Sequence, residues 1–238
     1  MAETAPVRDS FITVRTTLPR FPFPPISERP WANTERLLLR PLSASDLQAL
    51  HELRTQPEVM IWTSAGRPDI DINETKAKLD TFLTDEGNGK TFNFAICFKE
   101  EPDKLVGIGG CHNSASSFGW PELGYMFRKE AWGQGIATEF VKAWLGLWKA
   151  LPRQVVTVKC DERTLRGAED GIYEKWENDE VVEERLIAMT TEDNARSKNI
   201  LKKCGFEHFL TWKDKESRPN EEEVWIDLPT FRYFPGRN

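Results

Sequence analysis

The 238-residue chain has no apolar run close to the ~20 residues that a membrane-spanning helix needs. Its opening residues, MAETAPVRDS, lack the basic-then-apolar layout of a secretion signal. A cytoplasmic protein with no membrane partner is therefore expected. Cysteine and histidine are scarce. Cys97, Cys111, Cys160 and Cys204 are widely spaced, no C-x-x-C occurs, and the only histidines are His51, His112 and His208. That pattern argues against a disulfide framework and against a bound metal. The thiols read as small buried hydrophobes. An excess of positive charge is also missing. The net charge is −6, so the basic footprint of a nucleic-acid binder is absent. What is present is 39% hydrophobic residues with 9 Trp and 14 Phe, the composition of a folded globular protein.

The negative charge is concentrated. Residues 160–185 carry ten Asp or Glu against four Arg or Lys, a local net of −6, which leaves the rest of the chain neutral. This block reads as a solvated insertion. Residues 1–33 contain six prolines and read as an extended arm, with FPFPPI favouring polyproline-like backbone. The expected organisation is that arm, residues 1–33, followed by a single domain, residues 34–238, interrupted by the acidic insertion.

Within the domain, LLLR reads as a strand, and Ser43 with Asp46 has the spacing of a capping box before Leu47, Leu50 and Leu53. Asp71 with Glu74 repeats that signature before Leu79, Phe82 and Leu83. FNFAICF alternates as a half-buried strand does, PDK reads as the turn after it, and LVGIGG as the return strand. ELGYMF is another strand, and it runs into EAWGQGIATEF. There Gly133 and Gly135 precede a helix carrying Phe140, Val141, Trp144, Leu145 and Trp148. QVVTVK and RLIAM read as strands on either side of the insertion. NARSKNILKKCGF reads as a helix stopped by Gly205, and VWIDL as the last strand. The order gives an α+β (mixed α/β) domain around one central sheet.

A glycine-rich turn between a strand and a helix suits an anion. The first turn of a helix has unpaired N–H groups and the positive end of the helix dipole, and glycine removes the side chains that would block it. Two well-known phosphate loops do not fit. A Walker A loop needs Lys after its last glycine, where Ile136 stands. A dinucleotide turn needs a third glycine, where Thr138 stands.

The stretch ELGYMFRKEAWGQGIATEF resembles the acyl-CoA-binding motif of the GNAT acetyltransferase superfamily. Gly135 and Ala137 match its loop pattern. Trp132 stands where that pattern has Gln or Arg, and W-G-x-G-x-A-T-E is similar to the branch of ribosomal-protein alanine N-acetyltransferases. TERLLLRPLSASDL and NARSKNILKKCGF resemble two further segments of that branch, in the right order. The resemblance implies a mixed, mostly antiparallel sheet whose fourth and fifth strands splay apart around acetyl-CoA. It places the pyrophosphate on the loop from Trp132 through Gly133, Gln134, Gly135, Ile136 and Ala137 to Thr138. It places the pantetheine arm on the backbone of Tyr125, Met126 and Phe127 and on Asn194. The neighbouring basic residues Arg128 and Lys129 are candidates for the 3′-phosphate.

The implied reaction is direct acetyl transfer from acetyl-CoA to a primary amine, a small molecule or a peptide N-terminus, in a ternary complex. CoA is the product, and no metal takes part. Such transfer needs a base for the amine, a donor for the developing oxyanion and a proton for the leaving group. Glu122 is the candidate base, with Glu222 and Glu223 in reserve. Ser197 is the candidate proton donor, also within reach of the cofactor, and a backbone N–H near Met126 or Phe127 the candidate oxyanion donor. Trp62 and Ser64, with Glu122, are candidates for the acceptor's pocket. Tyr125, Cys204 and His112 are weaker candidates as reactive side chains, since His112 has no evident partner. A non-catalytic acyl-CoA-binding domain, which would need neither Glu122 nor Ser197, is the rival reading. A structural protein built around the Pro-rich arm is a third. A monomer and a homodimer both remain open.

Overall fold

The architecture comes from a computed structural model that describes residues 4–7, 11–84, 89–165, 181–215 and 224–237. In chain order its strands and helices are β1 (Ile12–Pro19), β2 (Ala32–Asn33), β3 (Leu37–Arg40), α1 (Leu47–Arg54), α2 (Pro57–Met60), α3 (Ile72–Leu83), β4 (Phe92–Phe98), β5 (Glu101–Asn113) and β6 (Glu122–Phe127). Then come α4 (Ile136–Ala150), β7 (Arg153–Cys160), β8 (Val181–Val182), β9 (Leu186–Met189), α5 (Ala195–Lys203), β10 (Glu207–Lys215) and β11 (Trp225–Tyr233). Eight strands form one sheet in the order β10-β11-β9-β6-β5-β4-β3-β2, and β7-β1-β8 form a second, small sheet. The main sheet is antiparallel throughout except for β6 beside β9. This is the α+β architecture expected from the sequence.

The alternation in β4 divides the molecule in two. Phe92, Phe94 and Ile96 face a core shared with Phe140, Val141, Trp144 and Trp148 of α4. Ala95, on the opposite file, packs with Leu50, Leu53, Leu79 and Phe82 of α1 and α3. Each fully buried large apolar side chain is worth about 1.5–3 kcal/mol over exposure. Trp144 and Trp148 stack at 5.2 Å. Their indole N–H groups donate to the Phe92 carbonyl at 3.1 Å and to Glu184 at 2.8 Å, so neither buried donor is left unpaired.

The expected caps form. Ser43 and Asp46 make the reciprocal box, on a short 3-10 turn leading into α1. The Asp71 carboxylate accepts from the N–H groups of Asn73 and Glu74, and Gly205 ends α5 at φ +84°. A buried ion pair ties α1 to the segment before α3. Arg54 donates to both carboxylate oxygens of Asp69, at 2.7 and 2.8 Å, and Thr75 also donates to Asp69.

Three sequence expectations change. The hairpin after β4 turns at residues 99–100, not at PDK. Pro102 and Asp103 lie in β5, where the register with β4 is irregular. A bulge accommodates Pro102, which has no N–H to offer a regular ladder. The Pro-rich segment contributes more than a packed arm. β1 pairs with β7 over eight positions, Phe23 is buried against Phe92 and Trp148, and Arg29 donates to the carbonyls of Pro24, Thr91 and Asn93. Of the acidic block, residues 166–180 lie outside the described residues, as do the reserve bases Glu222 and Glu223. In chain order the splayed strands are the sixth and ninth, because β1, β2 and β8 add to the strands read from the sequence and β7 (QVVTVK) joins β1 in the small sheet instead of the main one.

The feature that positions the site is the divergence of β6 from β9. The two share one paired position, Glu122 with Ile187. Beyond it, no strand among the described residues pairs with the edge of β6 that faces away from β5. A cleft of about 1390 Å³ opens there and continues over the α3 side of the sheet.

Candidate active site

At one end of the cleft, Gly133 and Gly135 adopt φ +75° and +77°, a left-handed backbone that other residues enter only at a cost. The turn itself therefore demands both glycines. A Cβ at Gly133 would meet nothing within 4 Å, and one at Gly135 would meet only the Arg36 guanidinium at 3.6 Å. The backbone there is bare toward the cleft. Gly135 is the N-cap of α4, and among the described residues the first N–H groups of this 15-residue helix have no side-chain acceptor.

The turn is clamped from behind. The Trp132 indole N–H donates to the Phe127 carbonyl at 2.9 Å. Arg36 donates through Nη1 to the Gln134 carbonyl at 2.9 Å and through Nε to Glu139 at 2.7 Å. Gln134 donates to the Glu130 carbonyl. Arg196 lies 4.9 Å from the centre of the Trp132 ring. Thus Trp132 and Gln134 shape the loop, while Ile136, Ala137 and Thr138 line the cleft beside the glycines.

Alternation then decides which backbone groups of β6 face the gap. The Arg128 N–H donates to Val106 of β5, so Met126 also points its N–H and C=O toward β5. Tyr125 and Phe127 point theirs outward. Of the two candidate oxyanion donors, the Phe127 N–H is the one aimed at the cleft.

Glu122 sits where β6 and β9 meet, 8% exposed, and burial pushes its carboxyl up to about 7. Its nearest basic neighbour is His112, with Nε2 3.6 Å from Oε1. The His112 ring lies over Gly124, where a Cβ would come within 2.7 Å of Nδ1. Desolvation, with Lys78 nearby, lowers His112 to about 4. The imidazole side chain is 44% exposed and is uncharged at neutral pH. On the opposite wall, Tyr125 Oη and Ser197 Oγ are 3.0 Å apart, and burial raises the Tyr125 phenol. Asn194 accepts from the Ser197 N–H at 3.0 Å and so caps α5, while still lining the cleft with Ser197.

The cleft thus brings together Trp62, Ser64, Glu122, Tyr125, Met126, Phe127, Asn194, Ser197 and most of the glycine turn. It does not take in Arg128. That guanidinium donates to the carbonyls of Leu105 and Ala49 and to Glu52, tying α1 to β5, and Lys129 pairs with Glu58. Sequence reading missed Arg36, Arg196 and the pairing of His112 with Glu122. Gly124 was the available signal for the last, because a glycine inside a strand often marks a close approach. All four cysteines are buried thiols. Burial raises Cys97 and Cys160 to about 11 and Cys111 to about 12, which makes them inert. Cys204 is raised as well and sits in the core. Among the described residues no three His, Cys, Asp or Glu side chains could hold a metal ion, and no helix is long and apolar enough to cross a membrane.

Comparison with known proteins places this geometry. The family model of the acetyltransferase (GNAT) domain matches residues 36–207. The N-acetyltransferase p20 of Bacillus licheniformis is 28% identical over 109 residues, which cover 46% of this chain and 60% of p20; the match thus spans about three fifths of that relative. Two solved structures share the fold. The ribosomal-protein-S5-alanine acetyltransferase of Vibrio fischeri superposes with a TM-score of 0.58 at 17% identity, covering 87% of this chain and 97% of that one. The microcin C7 self-immunity acetyltransferase MccE, solved with acetyl-CoA and AMP, superposes with a TM-score of 0.56 at 15% identity, covering 84% and 93%.

Proposed function

The chain belongs to the GNAT acetyltransferase family, and on that premise we propose that it transfers an acetyl group from acetyl-CoA directly to a primary amine, a small molecule or a peptide N-terminus, in a ternary complex. The observation that carries this reading is Glu122. A buried carboxyl raised to about 7 stands at the apex of the β6–β9 gap, where it is poised to gain and lose a proton near neutral pH.

The residues fit the cofactor. The bare backbone at Gly133 and the uncapped start of α4 suit a pyrophosphate, with Arg36 bracing the turn from behind. The outward-facing N–H and C=O of Tyr125 suit an amide-bearing arm, the Phe127 carbonyl being taken by the Trp132 indole. Acetyl-CoA supplies an acyl thioester when bound. Glu122, as the carboxylate, takes the proton from the amine. Neutral His112 beside it adds no positive charge that would hold the carboxylate ionised too firmly to accept that proton. The Phe127 N–H offers a donor in the gap. The Tyr125–Ser197 hydroxyl pair holds a proton on the far wall, and Ser197 Oγ is the group placed to give it to a leaving group. Residues 34–238 act as one catalytic domain, with β1 added to its flank.

Thermal unfolding with millimolar acetyl-CoA tests the binding half, because a ligand of the native state raises the midpoint by mass action. We expect a clear rise, and no rise would remove the reading. Thiol release with a panel of amines tests the other half. A stabilised protein that turns over no amine would be a non-catalytic acyl-CoA-binding domain instead.

A further inference from the structure

The α3 side of the cleft holds polar groups that acetyl transfer alone does not explain. Asn93 lies on the file of β4 opposite Phe92 and Phe94. It is 3% exposed and lines the cleft, yet its side-chain amide makes no hydrogen bond among the described residues. Thr91, two residues earlier, also lines the cleft, and its Oγ1 is buried without a partner. Leaving a fully buried polar atom such as Thr91 Oγ1 unpaired costs about 1–3 kcal/mol, whereas the unpaired Asn93 amide keeps access to the cleft.

The charges on this side point one way. Arg54 is engaged with Asp69, and Glu74 with Arg67. Lys78 of α3 lines the same cleft, with its ammonium 5.9 Å from the Phe82 ring, and no carboxylate lies within 4.0 Å of it among the described residues. Register gives the spacing. Asn93 is opposite Gly110, and Gly110 is opposite Gly124. Two strand spacings separate Asn93 from the strand that carries Glu122, roughly 10 Å.

Building on the acetyl-transfer reading, we propose that the acceptor is a small primary amine with a carboxylate several bonds from its nitrogen: Glu122 faces the amine, and Asn93 and Lys78 read the carboxylate. Asn93 contributes two N–H donors and Lys78 a cation. On this side of the cleft Glu122 is the one carboxylate not held by a cation among the described residues, so a second ammonium finds no counter-ion.

Three amines of equal chain length test this: 6-aminohexanoate, hexylamine and 1,6-diaminohexane. With acetyl-CoA, 6-aminohexanoate should show a kcat/KM roughly tenfold above the other two, the value of one charge-assisted hydrogen bond. Asn93→Ala should abolish that preference through KM while the unfolding midpoint of the free protein stays nearly unchanged, because the amide makes no hydrogen bond that would be lost. A structural asparagine would instead lower the midpoint. Lys78→Glu, on an exposed helix face, should turn the preference toward the diamine. Equal kcat/KM for the three, a wild-type preference for the diamine, turnover of none with acetyl-CoA bound, or an Asn93→Ala protein that loses stability and keeps the preference would each overturn the proposal. A stabilising shift with acetyl-CoA in those cases would leave the acetyl-transfer reading standing. Absence of that shift would take down both.

Discussion

On the α4 side of the cleft, the groups offered to a ligand are, apart from the Tyr125–Ser197 hydroxyl pair, backbone: the bare turn at Gly133 and Gly135, the first N–H groups of α4, and the outward-facing N–H groups of Tyr125 and Phe127. On the α3 side they are side chains, Glu122, His112, Asn93 and Lys78, drawn from three strands and a helix. Backbone N–H groups do not titrate, and they suit any ligand of the right shape and charge. Side chains carry proton chemistry and selectivity. The difference teaches where variation is tolerated. The α4 side depends on a few glycines and a clamp, whereas the α3 side can change its ligand by single substitutions.

The sharpest test of this division is Glu122→Gln. A general base contributes about 10²–10⁴-fold, so kcat/KM should fall by that order while acetyl-CoA affinity holds. Wild-type activity should rise with pH through about 7, the value to which burial raises Glu122, and the Gln variant should lose that limb. Stability supplies a second readout with a definite sign. Because the native pKa lies above the ordinary 4.5, the native state keeps a proton that the unfolded chain releases between those values. Wild-type stability is therefore fully present below about 4.5 and falls as pH rises toward 7, by up to about 3 kcal/mol. Urea unfolding at pH 5 and pH 8 should show the Gln variant gaining on wild type at the higher pH. A variant that keeps both its rate and its pH profile would remove Glu122 from the chemistry.

Gly133→Val probes the other side. It leaves the Cβ clear of protein atoms but strains a left-handed position by about 1–2 kcal/mol. Acetyl-CoA affinity, measured by calorimetry, should weaken by about tenfold or more, with amine selectivity unchanged and only a small drop in unfolding midpoint. Equal loss of stability and affinity would reduce the stretch to an ordinary turn. The smallest expected effect belongs to Ser197→Ala, which leaves Tyr125 Oη without its partner. Losing one hydrogen bond of about 1 kcal/mol should lower kcat by about fivefold and leave the KM for acetyl-CoA nearly unchanged. An unchanged kcat in pre-steady-state assays would free Ser197 from the proton-donor role.

Much of this was legible in the chain itself. Alternation in FNFAICF, the capping boxes at Ser43 and Asp71, and the glycines before α4 all announce local structure, because each depends on neighbours within four residues. That Glu122 and Ser197 would lie together along one cleft was legible through their motifs. His112 was not, because its partner lies ten residues along and across a strand pair with an irregular register. Arg128 misled, because a basic residue beside a phosphate loop looks available until α1 and β5 take up its donors. Asn93 was hidden inside an aromatic alternation, as the one polar amide on a file it shares with Ala95 and Cys97.

The sequence by itself therefore determined most of the domain's central elements, their caps and the glycine turn before α4, since short-range sterics and hydrogen bonding dictate them. Only the tertiary structure decided which charges are engaged and which face the cleft. It alone showed that a Pro-rich arm supplies a strand, that His112 rests on Gly124, and that Asn93 remains unpaired beneath α3. Burial and pairing are set by which strands lie side by side, and residues distant in the chain settle that together.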